Sequence, residues 1–301
     1  MRALVISGGG SKGAFAGGVS EYLIKDLDTK YDIFVGTSTG SLLVPQLSIG
    51  NVGKVKQTYT NVRQNDIYST CPFITKHDKD GNRTTSINHF NTIKMFLKRK
   101  KTFGEHLALR KTIEKAISKE DFERIQNSQK HVVVTVSNLT TNKVEYKYAK
   151  DCEYHDFLDW LWASSSFVPF MSIVQKNGYE YADGGFGNYI PIEEAINLGA
   201  TEIDVIVLSP RHEHVKKAQT KNAFDVLLRA LLFMNYQLGR HDLMIGHLES
   251  IYNDDVKVNF IFSPRILTEH SFIFDPREMK AWWHEGYEYA KVKYAKKKKG
   301  F

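Results

Sequence analysis

Two glycine-rich turns near the start of the chain, Gly8-Gly9-Gly10-Ser11-Lys12-Gly13 and Gly36-Thr37-Ser38-Thr39-Gly40, constrain its fold more than any other feature. A short apolar run precedes each turn, residues 3–6 in the first case and 31–35 in the second. A helical pattern follows each: Phe15, Val19, Tyr22 and Leu23 after the first, and a stretch beginning at Ser41 after the second. Strand, turn and helix repeated at once predict a parallel sheet with helices on its faces. Adjacent parallel strands deliver the turns that follow them to one sheet edge, where the crevice of such folds lies.

Later segments extend the same plan. A β-branched run at 131–136 and an alternating run at 143–148 predict an antiparallel pair. Further strands are expected at 179–182, 203–208 and 256–262, and helices at 109–117, 193–198 and 224–238, with a basic helix at the end. Pro45 falls inside the helix after Ser38 and predicts a kink or an early stop there. No repeat or Gly/Ser-rich linker divides the chain. The expectation is a single domain over 1–301, a three-layer α/β/α fold with a mainly parallel central sheet. Its motif-bearing core is 1–60 and 131–208; 61–130 is a polar, basic insertion or covering lobe, and 209–301 a C-terminal helical extension.

Bulk chemistry narrows the setting. Forty-one Lys plus Arg against 34 Asp plus Glu give a net charge of +7, which favours anionic partners without selecting one. Cys71 and Cys152 lack the spacing of a zinc site or a disulfide framework, so a reducing cytosol is expected. The apolar run at 3–6 is too short for a signal peptide, and no window has the length of a membrane-spanning helix. Membrane contact is therefore expected only at a periphery. Candidates are Lys98-Arg99-Lys100-Lys101 beside Met95-Phe96-Leu97, and residues 296–299 after Tyr287, Tyr289 and Tyr294. No nucleic-acid module is recognisable.

Three motifs carry chemistry. Gly36-Thr37-Ser38-Thr39-Gly40 fits G-x-S-x-G on a strand-to-helix turn, where small neighbours let the backbone double back and lift the Ser38 hydroxyl above the sheet. An N-cap serine between turn glycines is the plainer alternative. In Gly8-Gly9-Gly10-Ser11-Lys12-Gly13 the lysine precedes the last glycine, which rules out a Walker loop. The dinucleotide spacing Gly8, Gly10, Gly13 lacks an acidic residue at the end of the next strand, since Asp28 precedes that strand and Asp32 starts it. An oxyanion hole made of backbone amides is the third reading. Asp183-Gly184-Gly185 closes a later strand with a carboxylate, although Asp-Gly is also a common turn.

In order and in context, these motifs resemble the patatin-like phospholipase family. Trp162-Ala163-Ser164-Ser165-Ser166-Phe167-Val168-Pro169, Tyr181-Ala182 before Asp183, and residues 188–199 are similar to that family too. The likeness runs from residue 1 to about 208, poorly over 61–130 and weakly over the last ninety residues. It implies a lipid acyl hydrolase, of phospholipase A or lysophospholipase type, with Ser38 as nucleophile and Asp183 as its partner in a Ser–Asp dyad. It also implies that Gly8, Gly9, Gly10, Ser11, Lys12 and Gly13 form the oxyanion loop, with Gly36, Gly40, Gly184 and Gly185 as motif support. Lys12 stands where the family usually has arginine.

A dyad needs an unusual carboxylate. Free Asp has a pKa of about 3.9 and is a weak base for a serine hydroxyl, so the site must desolvate it or stabilise the alkoxide. No metal or organic cofactor is expected, and the substrate is a phospholipid or another acyl lipid. A Ser…Asp…His triad drawing on His212, His214, His241, His247, His270 or His284 stands second, because the serine comes so early. His212 and His214 lack a third metal ligand nearby, and residues 78–82 mimic a calcium loop with the wrong glycine position. An acyltransferase on the same dyad, and a non-catalytic lipid- or nucleotide-binding protein on the same scaffold, remain alternatives.

Overall fold

A computed structural model of the 301-residue chain describes residues 1–77, 83–211, 220 and 222–298. The first half follows the order β1 (Arg2–Ile6), α1 (Gly13–Glu21), β2 (Ile33–Thr37), α2 (Thr39–Ser48), α3 (Val52–Tyr59), α4 (Gln64–Ile67), β3 (Phe73–His77), β4 (Arg83–Ile87), α5 (His89–Leu97), α6 (Leu107–Ala116) and α7 (Lys119–Asn127). The second continues with β5 (His131–Asn138), β6 (Lys143–Tyr148), α8 (Tyr154–Ser164), β7 (Val174–Lys176), β8 (Tyr179–Asp183), α9 (Ile192–Asn197), β9 (Glu202–Val207), α10 (Ala223–Tyr252), β10 (Lys257–Phe262) and α11 (Pro276–Lys298).

Eight strands form one sheet in the order β10-β9-β1-β2-β5-β8-β7, with β6 also paired to β5. The run from β10 to β5 is parallel, while β6 and β8 oppose β5. Alternation along β1 shows why helices must cover both faces. Leu4 and Ile6 join one buried cluster with residues of α1, α2, α6 and α8, whereas Ala3 and Val5 join another with Ile192 and Ala195 of α9. The fold is the expected three-layer α/β architecture with a mostly parallel sheet.

One detail of pairing positions the site. Strand β6 occupies a whole flank of β5 from Val133 to Asn138, so β2 and β8 must share the other flank. There β2 ends with Thr37 opposite Thr135, and β8 ends with Asp183 opposite Val136. The two strands meet tip to tip. An antiparallel strand thereby delivers its last residue to the carboxyl edge of the parallel ones.

Two expectations about helices require correction. Of the kink or early stop expected at Pro45, the stop does not fall at the proline, because α2 runs on three residues to Ser48 with Pro45 buried inside it. The helix expected over 224–238 extends to Tyr252. Asp242 and Gly246 interrupt its apolar pattern yet are buried, since Asp242 accepts from the Tyr189 and Ile190 amides and Gly246 packs against Ile192 and Phe260. The loop-like sequence 78–82 lies outside the described residues. It follows β3 and precedes β4, which pair as an antiparallel ribbon.

Candidate active site

Ser38 occupies the turn between β2 and α2 with φ 54° and ψ −120°. A positive φ is costly for a residue with a Cβ, and here the surroundings enforce it. Its amide donates to Ser164 Oγ at 3.0 Å, and the Ser41 hydroxyl donates to Gly36 O at 2.6 Å while accepting from Ser164 Oγ at 2.8 Å. Close approach explains the flanking glycine Gly40, since a Cβ on it would stand 2.2 Å from Ile6 O. A side chain there would push β1 and α2 apart.

Asp183 is 4% exposed. Its carboxylate accepts from the Gly185 amide at 2.8 Å and from the Ser38 hydroxyl. Burial pushes its pKa up to about 7, against the opposing pull of those two hydrogen bonds. The main chain of Asp183 is fixed as well, because its amide donates to Ser166 O at 2.9 Å. One short stretch, the last residue of α8 and the turn that follows it, therefore restrains both groups: Ser164 holds the amide of Ser38 and Ser166 holds that of Asp183. The sequence marked residues 162–169 only through family likeness.

Ser166 is in turn held by His106, a residue that sequence reasoning passed over. The His106 Nε2–H donates to Ser166 Oγ at 2.8 Å, and Nδ1 accepts from the Ser172 amide at 3.2 Å. Those partners fix one neutral tautomer, and complete burial lowers the ring pKa to about 3. Among the described residues neither hydrogen-bond partner of Asp183 is a histidine, so none of the described histidines completes a triad with it. His212 and His214 lie outside the described residues, among which no group of His, Cys, Asp or Glu could hold a metal.

The first glycine turn sits beside Ser38; a Cβ on Gly8 would lie 3.5 Å from Ser38 Cβ. Its six residues are not equivalent. Amides of Gly8, Ser11 and Lys12 donate to Tyr189 O at 3.1 Å, Ser271 O at 2.9 Å and Gly9 O at 3.3 Å, and Gly13 donates within the helical turn. Among the described residues the amides of Gly9 and Gly10 have no protein acceptor. Gly10 needs its missing side chain, having φ 58° and Ser271 O 2.3 Å from where a Cβ would be. Gly184 is excluded from bearing a Cβ by Thr135 O at 2.3 Å.

Ser38 and Asp183 line an apolar cavity between α2, α3 and α6, together with Leu42, Val55, Ile113, Phe167 and Phe272. Gln46 bounds its far end; its side-chain amide donates to Ala116 O and to Asp121 Oδ2, both at 2.8 Å, and Lys54 pairs with the same carboxylate at 2.5 Å. Segment 61–130 supplies α6 as one wall. The C-terminal ninety residues, weak in motif, supply Phe272, Phe274 and the Ser271 carbonyl that ties down the glycine turn. Asp242 of α10 fixes the segment whose Tyr189 carbonyl does the same.

An α/β sheet whose carboxyl edge brings a strained serine, a buried carboxylate and a glycine turn to the end of an apolar cavity defines the class. The chain belongs to the patatin-like phospholipase family, whose model matches residues 4–196. No curated protein matches the chain. Among solved structures it is similar to VipD from Legionella pneumophila, at 13% identity and a TM-score of 0.47, over 97% of this chain and 66% of that one. The chain thus spans less than two thirds of VipD's length. No described helix is long and apolar enough to cross a membrane.

Proposed function

We propose that the protein hydrolyses carboxylic esters of phospholipids or lysophospholipids through an acyl-enzyme on Ser38. The observation carrying this reading is the hydrogen bond from the Ser38 hydroxyl to a buried Asp183 whose pKa burial has raised to about 7. A carboxylate of that basicity is matched to neutral pH, which free Asp is not.

Asp183 takes the Ser38 proton as Oγ attacks the acyl carbonyl carbon. Negative charge moves to the carbonyl oxygen, where the free amides of Gly9 and Gly10 donate to it; losing one such donor costs about 10²–10³ in rate. Collapse of the tetrahedral adduct breaks the ester C–O bond, and protonated Asp183 returns its proton to the leaving alkoxide. Water then gives a proton to Asp183 while its oxygen attacks the acyl-enzyme, and Ser38 leaves reprotonated with release of the fatty acid. The apolar cavity accepts the acyl chain.

A serine-directed fluorophosphonate should label the native chain and spare Ser38→Ala, and only the native chain should release fatty acid from phosphatidylcholine. Equal labelling of both proteins rejects Ser38 as nucleophile.

A further inference from the structure

Helix α5 is built inside out for a surface helix. Its buried residues are Thr92 and Met95, whereas Phe90, Ile93, Phe96 and Leu97 face solvent, Phe90 at 77% and Leu97 at 81% exposure. Phe90, Ile93 and Leu97 recur at helical spacing and form one face. Four large apolar groups on one nine-residue helix form a contiguous patch, which in a soluble protein marks a contact surface.

The charged residues of α5 and of the segment following it to Lys101 are all basic. Lys100 pairs with Glu105 and Lys101 with Glu180, but among the described residues Lys94, Lys98 and Arg99 have no carboxylate partner. These three exposed cations flank the apolar face directly. An apolar face rimmed by uncompensated cations matches an anionic bilayer, with side chains in the acyl boundary and ammonium groups among lipid phosphates. The tyrosines ahead of the other basic segment are engaged elsewhere. Tyr287 donates to Asp26, Tyr289 packs on Phe15, and Tyr294 donates to Asp204, so the α11 tyrosines are turned towards the protein.

The patch also connects with the cavity. Phe96 touches Phe103 at 6.0 Å between ring centroids, Phe103 meets Phe170 at 5.7 Å, and Phe170 stacks on Phe73 at 5.4 Å. Phe73 stacks on Phe272 at 5.9 Å, and Phe272 packs on Phe167 at 4.7 Å. Phe272 and Phe167 line the cavity beside Ser38 and Asp183. Phe103 also meets Phe224 of α10 at 5.0 Å, and α10 continues past Gly185 with Val226 and Phe233 exposed. An unbroken apolar path therefore joins the α5 face to the site.

We infer that α5 docks the protein on anionic phospholipid surfaces through Phe90, Ile93 and Leu97, with Lys94, Lys98 and Arg99 gripping the headgroups. The purpose of this contact rests on the acyl hydrolase reading, but its test does not require turnover. Flotation of the full chain with phosphatidylcholine vesicles containing phosphatidylglycerol is compared with flotation on pure phosphatidylcholine. Native protein should float with the anionic vesicles, lose most binding at high salt, and bind pure phosphatidylcholine at least tenfold less. Phe90→Ser/Leu97→Ser and Lys94→Glu/Lys98→Glu should each lower anionic-vesicle partitioning at least tenfold, while Val292→Ser on exposed α11 should leave it unchanged. Turnover of a soluble short-chain ester should be equal in all these variants. Its absence throughout would count against the hydrolase and not against docking. Docking is overturned if native protein stays with the soluble fraction, if the α5 variants float as native, or if they only convert a dimer into a monomer.

Discussion

Asp183 faces Val136 on β5 one residue beyond Thr135, the partner of Thr37, so the residue that follows Thr37 meets the carboxylate at a junction of two strand tips. This register gives the site both of its unusual properties. Both strands end there, β2 at Thr37 and β8 at Asp183, so the residue after one tip meets the side chain on the other. Asp183 is buried at that junction, and burial desolvates its carboxylate.

The first prediction concerns pH. The base role proposed for Asp183 requires the ionised carboxylate, so kcat/KM on a soluble ester should rise about tenfold per pH unit below about 7 and level off above it. A flat profile from pH 5 to 8 would remove Asp183 as the base. Stability should run the other way. The folded pKa of about 7 lies above the ordinary 3.8, so the protonated form is favoured in the fold, and stability falls as pH rises from about 4 to about 7. The cost above pH 7 is about 4 kcal/mol for a shift of this size. Asp183→Asn should therefore lose turnover while melting above the native protein at pH 8, with the gap closing near pH 4. Melting curves for both proteins across that range provide the check.

How much of this was legible in the sequence depends on the kind of signal. Ser38 and the glycine turn are legible as candidates, because strained or crowded backbone admits few residue types, whereas Asp183, in an Asp-Gly turn, is marked only by its place among the ordered family motifs. Gly40 against Ile6 O is one case of such crowding. The meeting of β2 and β8 on one flank of β5 could not be read, since it depends on β6 taking the other flank, a non-local choice. Nor could the division within the turn, where Ser271 and Tyr189 claim the Ser11 and Gly8 amides and leave those of Gly9 and Gly10. His106 stayed hidden because a lone histidine in a basic segment carries no pattern.

Ser164 offers a test of positioning without touching the reacting groups. Ser164→Ala leaves the buried Ser38 amide without an acceptor and Ser41 without a donor, at a cost of about 1–3 kcal/mol. The expected result is a melting temperature lower by about 2–4 °C per kcal/mol and a drop in kcat with KM little changed. Ser164→Thr, which restores the hydroxyl, should recover part of both. Unaltered kcat in Ser164→Ala would mean that α2 fixes the turn unaided.

His106 predicts acid sensitivity of the opposite sign to Asp183. Its folded pKa of about 3 lies below the ordinary 6.5, so the neutral ring stabilises the fold above pH 6.5 and that contribution is lost as pH falls towards 3. The full span is worth about 5 kcal/mol. His106→Gln should be less stable than the native chain at pH 7 because it loses a tailored pair of hydrogen bonds. It should also lose less further stability between pH 6.5 and 4. Urea midpoints at several pH values would show this as a shallower slope, and parallel slopes would contradict burial of a neutral ring.

The cavity should act as a length gauge. Ser38, Leu42 and Gln46 follow one another at four-residue intervals along one face of α2, so Leu42 lies about 6 Å and Gln46 about 12 Å from Ser38 along the helix axis. An apolar chain can extend only until it meets the hydrogen-bonded Gln46, Asp121 and Lys54, whose desolvation nothing would repay. Leu42→Trp fills the near half and should restrict turnover to the shortest acyl esters. Ala116→Trp, at the carbonyl that Gln46 grips, fills only the far half and should spare short esters while losing medium ones. A series of p-nitrophenyl esters of increasing length reads both variants. If the two substitutions trim the same chain lengths, the acyl group does not lie along α2, and the cavity serves some other part of the lipid.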